Sequence, residues 1–214
     1  MLKTLIITGK WSIIPLRGDN MIKTTAMLLD ELQDYRYPAN KLARLVAQGA
    51  IFPVVRGLYV SDRRMPGYLL AASIYGPSYL SFDYALSYWH LIPEAVYAFT
   101  SATYDKKKKK QFQTPFGLFT YRDVPGSAYP VGIQIVYEGN YSFLIAQPEK
   151  ALCDKLYTIS PVANQTAFET LLFDDLRIDR YTFLQLDREK LQQIAALYQT
   201  SNHRLLAKYL RRRL

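Results

Sequence analysis

The spacing of apolar residues changes twice along the chain and predicts three regions. Up to residue 62, two stretches of helical spacing precede a short hairpin. In the middle, two short helices, the second capped by Ser81, precede stretches in which apolar and polar residues alternate, and strands are predicted at residues 96–103, 118–123, 132–137 and 141–145. From Pro148 onward helical spacing returns. Asp187 is predicted to cap one of these helices, and Ser201 is predicted to begin the last one, with its arginines outward. The pattern therefore predicts an α+β protein whose C-terminal part has an antiparallel sheet of about four strands and several helices.

The stretch from Pro38 to Asp62 is the most informative part of this pattern. Leu42, Leu45 and Val46 follow i, i+3, i+4 spacing, which predicts a helix with one apolar face. Pro is favoured at the first helical position, where no N–H partner is needed, and a Gly follows at the predicted helix end. Two short apolar stretches come next, separated by an Arg-Gly turn signal.

This order of elements divides the chain into three parts. Residues 21–62 are predicted to form a small winged-helix unit. Such units usually contain three helices, so this one is either reduced or completed by a helix from residues 1–20 or from the segment after residue 62. Residues 63–214 are predicted to form a second domain, and the boundary rests on a change of pattern because there is no Ser/Gly-rich linker. Residues 1–20 are an extension that the pattern does not assign, and they make a poor signal peptide.

The outward side of the predicted helix at residues 38–48 carries side chains suited to reading DNA. A helix fits the major groove, where Arg pairs with guanine and Asn with adenine through two hydrogen bonds. Arg44 and Asn40 are therefore the candidates for base contacts, with Gln48 beside them. Helix surfaces are usually charged, so an ordinary solvated helix followed by an ordinary hairpin explains the same pattern equally well.

Other cations near this helix are candidates for phosphate contacts. Lys41 lies on the helix, Arg56 at the hairpin turn and Arg36 in the preceding linker. Phosphate contacts fix the position of a protein on DNA without reading its sequence. These three residues are therefore predicted to hold the backbone on either side of the bases that are read.

The charge of the chain favours an anionic partner, with nucleic acid first. The net charge is +9 and the pI about 9.5, and much of the excess lies in a run of five lysines and in the C-terminal arginines. A lysine run is usually a solvated loop, so two interpretations stay open. If these segments instead bind DNA, the extra phosphate contacts are Lys106, Lys107, Lys108, Lys109, Lys110, Arg211, Arg212 and Arg213.

No set of residues predicts catalysis, a metal or a cofactor. The chain has two histidines and one cysteine, too few for a structural zinc site, and lacks phosphate-binding and nucleophile-elbow motifs. The acid–base neighbours Glu149-Lys150 and Asp154-Lys155 are typical of a helix surface. Cys153 is predicted to be a small core residue. No stretch is apolar enough to span a membrane, which together with the single cysteine predicts a cytoplasmic protein.

Several segments, taken in order, resemble the AbiEi family of antitoxins and transcriptional regulators of type IV toxin–antitoxin, or abortive phage infection, systems. The resemblance covers about residues 21–214. The stretches that carry it are YRYPANKLARLVAQGAIFPVVRGLYV, LSFDYALSYWHLIPE, AFTSAT, TPFGLFTYRDVP, FLIA, QPEKALCDKLY and FDDLRID.

The resemblance implies a winged-helix N-terminal domain and a C-terminal antitoxin domain. The lack of a catalytic set of residues separately predicts that the chain is not an enzyme. It implies binding of double-stranded DNA at inverted repeats in the protein's own promoter. It also implies a nucleotidyltransferase-like toxin as the functional partner, without a stable complex. The family's wing matches residues 56–59, and its reading helix matches residues 39–48.

Two other classes of function stay open at this stage. The winged helix can have lost DNA binding, so that the chain is a protein-interaction module using its Tyr-rich strands and the aromatic stretch at residues 82–90. An enzyme acting on nucleic acid or nucleotides is the third class, with the adjacent Asp174 and Asp175 as its only carboxylate pair worth testing.

Overall fold

In the structure, a computed structural model, residues 21–213 are described, with side chains through residue 211. The extension predicted at residues 1–20 lies outside them. The strands are β1 (Ile22–Thr24), β2 (Phe52–Val55), β3 (Leu58–Val60), β4 (Tyr79–Leu80), β5 (Phe99–Thr103), β6 (Lys110–Thr114), β7 (Gly117–Asp123), β8 (Ile133–Glu138) and β9 (Tyr141–Ala146). The α-helices are α1 (Thr25–Glu31), α2 (Pro38–Ala47), α3 (Ala71–Ile74), α4 (Phe82–Tyr88), α5 (Pro148–Tyr157), α6 (Gln165–Thr170), α7 (Arg180–Leu184), α8 (Arg188–Ala196) and α9 (Ser201–Arg213).

The N-terminal unit has the order strand, helix, helix, strand, strand. Its small sheet is antiparallel with the spatial order β1-β3-β2. Strand β1, which the apolar pattern did not predict, pairs along β3 and leads into α1, where the Thr24 hydroxyl accepts a hydrogen bond from the Met27 N–H. A small core closes the unit, and its buried residues are Leu28, Leu32, Leu42 and Ile51.

The second sheet corrects the prediction of about four antiparallel strands. It has six strands in the order β6-β7-β5-β4-β9-β8, and the pairs β5–β7 and β4–β9 are parallel. The prediction was wrong for two physical reasons. Strand β4 is two residues long and β6 begins inside the lysine run, so neither alternates over enough residues to be recognised. Parallel pairs also join strands distant in sequence, which local alternation does not specify.

The helices of the C-terminal part pack around α5. This helix contacts α4, α8 and α9, and it is buried along residues 149–154. The predicted start of α8 is confirmed, because the Asp187 carboxylate accepts a hydrogen bond from the Lys190 N–H. α9 also begins where predicted, at Ser201, with Leu206 and Leu210 buried.

The hairpin of the N-terminal unit belongs to the main core. Val54, Leu58 and Val60 are buried together with residues of the six-stranded sheet, whereas α1 and α2 enclose their own smaller core. Strand β2 also contacts β6. The hairpin is therefore seated on the C-terminal part, and α2 projects from it on the smaller core.

Candidate nucleic-acid interface

Helix α2 is held by its apolar stripe and ended by a glycine. Leu42 is buried, and Leu45 and Val46 are half-buried against the small core, as their spacing predicted. Gly49 has a φ of +68°, and its N–H donates to the carbonyl of Val46 while the next N–H, of Ala50, donates to Leu45. This pair of bonds is the Schellman arrangement, which satisfies carbonyls that the helix end leaves free.

The side of α2 that faces away from the core presents a ridge of polar side chains. Asn40, Arg44 and Gln48 are spaced four residues apart and are all exposed. Within the described part of the chain, Arg44 forms no ion pair, and α2 itself contains no acid. The donors of this ridge are therefore free to bond a partner.

A second ridge on the same side of α2 consists of methyl groups. Ala39, Ala43 and Ala47 are also spaced four residues apart and exposed. Each lies one position before a residue of the polar ridge, so the two ridges run side by side. Small side chains here leave the helix narrow, and a narrow helix can approach the floor of a DNA groove closely.

Two cations near the N-terminal end of α2, one within the helix and one before it, lie over tyrosine rings. The Lys41 Nζ is 5.1 Å from the centroid of the Tyr35 ring, and the Arg36 guanidinium carbon is 5.3 Å from that of Tyr37. Cation–π contacts of this kind orient a side chain without neutralising it. The sequence does not predict a role for either tyrosine, because aromatic residues in a linker carry no signal of such a contact.

Arg56 lies at the tight turn of the hairpin, as predicted. Gly57 has a φ of +87°, and its carbonyl accepts a hydrogen bond from the N–H of Thr25 at the start of α1. Arg56 is exposed at this turn. The turn is thus tied to α1 by a backbone bond, which fixes the backbone position from which the Arg56 side chain extends.

The lysine run divides into side chains with different surroundings. The Lys106 Nζ donates to the Gly76 carbonyl at 3.0 Å and lies over the Tyr75 ring. The Lys107 Nζ is 3.8 Å from the Asp105 carboxylate. The remaining members of the run are exposed, and they are Lys108, Lys109 and Lys110.

The C-terminal cations lie on α9, which packs on α5, α6 and α8. Arg204, Lys208 and Arg211 are exposed, in agreement with the predicted outward side. The side chains of Arg212 and Arg213 lie outside the described part of the structure. The described C-terminal cations are thus on elements of the C-terminal part and not on the helix–hairpin unit.

A buried polar cluster inside the C-terminal part contradicts one interpretation of the sequence. Lys150 and Asp154, taken as surface residues, are fully buried and form an ion pair of 3.0 Å between Nζ and Oδ1. The hydroxyls of Ser81 and Tyr79 donate to the other carboxylate oxygen, at 2.6 and 3.1 Å. Lys150 and Asp154 both bond the Tyr198 hydroxyl. An i, i+4 pair is common on helix surfaces, so its spacing carried no signal of burial.

Ser81 shows how this cluster replaces a simpler contact. The sequence predicts Ser81 as the cap of α4, and it does stand at that position, but its hydroxyl makes no cap hydrogen bond. It bonds Asp154 instead. Cys153 is buried, as predicted, and burial raises the pKa of its thiol, which keeps it in the unreactive form. The cluster therefore joins α4, α5 and the segment before α9 without presenting a reactive group to solvent.

Within residues 21–213, no group of three or more His, Cys, Asp or Glu side chains is placed to hold a metal ion. None of the helices in this range is both long enough and apolar enough to cross a membrane. Comparison with protein-family models and with curated protein sequences finds no match to the chain.

Proposed function

We propose that this chain is a DNA-binding transcriptional regulator that binds the promoter of its own operon through α2 and the β2–β3 hairpin. The observation that carries the proposal is the exposed ridge of Asn40, Arg44 and Gln48 on a helix without acids. Such donors recognise base edges in the major groove. The neighbouring alanine ridge lets the helix approach them closely.

The order of elements in the N-terminal unit supports a winged-helix mode of binding. Two helices precede a hairpin, and the hairpin is completed into a three-stranded sheet by β1. In this mode α2 enters the major groove. Arg56, Lys41 and Arg36 then contact phosphates, and a protein–DNA interface gains much of its affinity from such contacts.

The biological role that we propose is that of an AbiEi-type antitoxin in a two-gene phage-defence module. Support comes from the ordered stretches of resemblance over about residues 21–214. Its functional partner is then a nucleotidyltransferase-like toxin encoded next to it. Co-expression with the neighbouring gene tests this role: growth is expected to be arrested by the toxin alone and restored by the chain, and a neighbour that leaves growth unchanged contradicts it.

Substitution of Arg44 tests the DNA contact. Arg44→Ala is expected to weaken binding to the upstream region by about 1–3 kcal/mol and to relax sequence preference, as measured by fluorescence anisotropy. Arg44→Lys keeps the charge but loses the planar pair of donors, so it is expected to lose preference while keeping non-specific affinity. Arg204→Ala on α9 is the control, because it removes an exposed arginine outside the proposed interface. If Arg44→Ala leaves both the affinity and the sequence preference unchanged, the assignment of Arg44 to a base contact is wrong.

A protein-interaction module is the second candidate, and one observation favours it. The hairpin β8–β9 at the edge of the six-stranded sheet exposes Ile135, Tyr137 and Leu144. Exposed apolar side chains grouped on one strand pair are typical of a binding surface. If Arg44→Ala leaves DNA binding unchanged but charged substitutions at Ile135 abolish the rescue of growth in the co-expression experiment, this candidate replaces the first.

A further inference from the structure

An open cavity of about 480 Å³ lies against one face of the six-stranded sheet. Its other wall is formed by Asp83 of α4, by Lys155 of α5 and by Thr158, which directly follows α5. Strands β5, β6 and β7 contribute Thr100, Gln111, Thr120 and Arg122 among others, and Lys109 borders the cavity directly before β6. Small-molecule sites are commonly concave and of this size.

The strand register identifies the face of the sheet that borders the cavity. Thr120 pairs with Thr100 on one side and with Gln111 on the other, so these three share a row, and Arg122 lies two residues further on the same face. The Thr100 hydroxyl bonds the backbone at Ser81 and accepts from the N–H of a residue in α4. This face is therefore the one turned toward the helices.

The lining of the cavity is positive. It contains Lys109, Arg122 and Lys155 and, among the described lining residues, Asp83 is the only acid. Lys110 also borders the cavity, but it pairs with Tyr121, so its side chain leaves the opposite face of the sheet. Asp83 is already paired, since its Oδ1 is 2.6 Å from the Lys155 Nζ.

Arg122 is a cation of the lining without an ionic partner. It is half-buried, and no carboxylate in the described residues forms an ion pair with it. A guanidinium that has lost part of its hydration gains most from an anionic partner. Its planar fork bonds two oxygens of one phosphate group.

We propose that this cavity binds a small molecule carrying two or more phosphate groups. Two positive side chains in excess of the acid favour an oligophosphate, and Lys and Arg are the usual phosphate-binding residues. Thr120 and Gln111 make no other side-chain hydrogen bond in the described structure and supply neutral donors beside the cations. Inorganic pyrophosphate and nucleoside di- or triphosphates share this chemistry. The proposal does not depend on DNA binding by α2.

The site gives part of the lysine run a definite role. Lys109 and Lys110 border the cavity, whereas Lys106 and Lys107 contact other groups of the protein. One run therefore supplies both a test position and its control. Lys109→Gln and Lys107→Gln remove the same charge two residues apart, and only the first removes it from the cavity.

Isothermal titration calorimetry with pyrophosphate, ATP and adenosine tests the proposal. We expect pyrophosphate, ATP or both to bind and adenosine not to bind, because the phosphate groups carry the recognition. Binding of ATP alone assigns a nucleotide, and equal binding of pyrophosphate assigns the phosphate groups by themselves. Adenosine binding as well as ATP, or no binding of any of the three, overturns the proposal.

Four variants test whether the phosphate ligand binds in this cavity. Arg122→Gln and Lys109→Gln are each expected to weaken it about tenfold or more, the usual effect of losing one charge-assisted hydrogen bond. Lys107→Gln is expected to change it less than about twofold, since that lysine is solvated. Asp83→Asn is expected to strengthen it several-fold, because it frees Lys155. If Arg122→Gln fails to fold, the exposed Lys109 still provides the test.

A competing explanation is that these lysines bind duplex DNA. It makes the opposite prediction for the same variants. If Lys109→Gln weakens binding to the upstream DNA duplex but leaves pyrophosphate binding equal to that of Lys107→Gln, the cavity is not a small-molecule site and the proposal is overturned.

Discussion

His203 is buried and kept neutral by its neighbours. Its Nε2 is 3.0 Å from the Cys153 carbonyl, to which it must donate, and its Nδ1 is 2.6 Å from the Thr200 hydroxyl, from which it then accepts. Its ring stacks on that of Tyr198. Burial, reinforced by the nearby charge of Lys150, lowers the pKa of His203 to about 4, although the hydrogen bond to Cys153 acts in the other direction.

This histidine makes the stability of the protein depend on pH. Its pKa is lower in the folded state than in the unfolded chain, where it is about 6.5. The unfolded state therefore binds more protons, and the free energy of unfolding falls as pH falls from about 6.5 toward 4, by up to about 1.4 kcal/mol per pH unit. Urea unfolding at a series of pH values is expected to show this slope, and His203→Gln is expected to flatten it. An equal slope in the variant contradicts the assignment.

The pair Lys150–Asp154 is the second residue-scale determinant of stability. Removing one partner leaves a buried charge without its counterpart, and Lys150→Met or Asp154→Leu is expected to cost about 3–5 kcal/mol in the free energy of unfolding. The double variant leaves no unpaired charge and is expected to cost much less than the sum of the two. Lys107→Met, which breaks an exposed pair, is the control and is expected to cost less than about 1 kcal/mol. Additive losses would show that the two charges do not stabilise each other.

At the scale of elements, α2 is the part on which the proposed function depends. Its outward face contains the alanine ridge, so a bulky or charged side chain there is expected to obstruct a groove without disturbing the core. Ala43→Glu is expected to abolish DNA binding in a gel-shift assay, because it places a carboxylate against phosphates. Ala43→Gln is the matched control and is expected to retain more binding. The thermal unfolding temperatures of both variants are expected to stay close to that of the parent. If both variants lose DNA binding equally, the effect is steric and the carboxylate charge plays no part.

The elements that the sequence predicted best are those whose signals are local. The apolar stripe of α2, the Asp187 cap of α8 and the hairpin β8–β9 each depend on residues a few positions apart, and each is present. The parallel pairing of β5 with β7 depends on strands with another strand between them in the chain, so no local pattern specified it. The predicted α2 also led to the candidate base contacts Asn40, Arg44 and Gln48, which the structure places on its exposed surface. That they contact DNA bases stays a prediction.

The remaining parts of the candidate sites depend on contacts between distant segments. The burial of Lys150 is produced by Tyr79 and Tyr198, which lie far from it in sequence. The positive cavity likewise combines Arg122 with lysines from another strand and a helix. Spacing within one segment contains no information on such neighbours, because a charged residue on a helix or strand is usually solvated.

At the scale of the whole molecule, the chain combines a small helix–hairpin unit with a larger part that carries most of the excess charge. The hairpin shares the main core, while α2 lies on its own small core. This arrangement fixes the position of α2 relative to the six-stranded sheet. A net charge of +9 favours attraction of an anionic partner at long range, and in the proposed function the contacts of α2 decide which DNA sequence is bound.

The salt dependence of binding to the protein's own upstream DNA tests the central claim most directly. Three phosphate contacts, from Arg36, Lys41 and Arg56, predict a slope of roughly −2.7 in log affinity against log salt concentration, or about a fortyfold loss for a fourfold rise in salt. Anisotropy titrations with the upstream duplex and a scrambled duplex are expected to show this slope and tighter binding of the former. A slope near zero with equal binding of both duplexes would contradict the account.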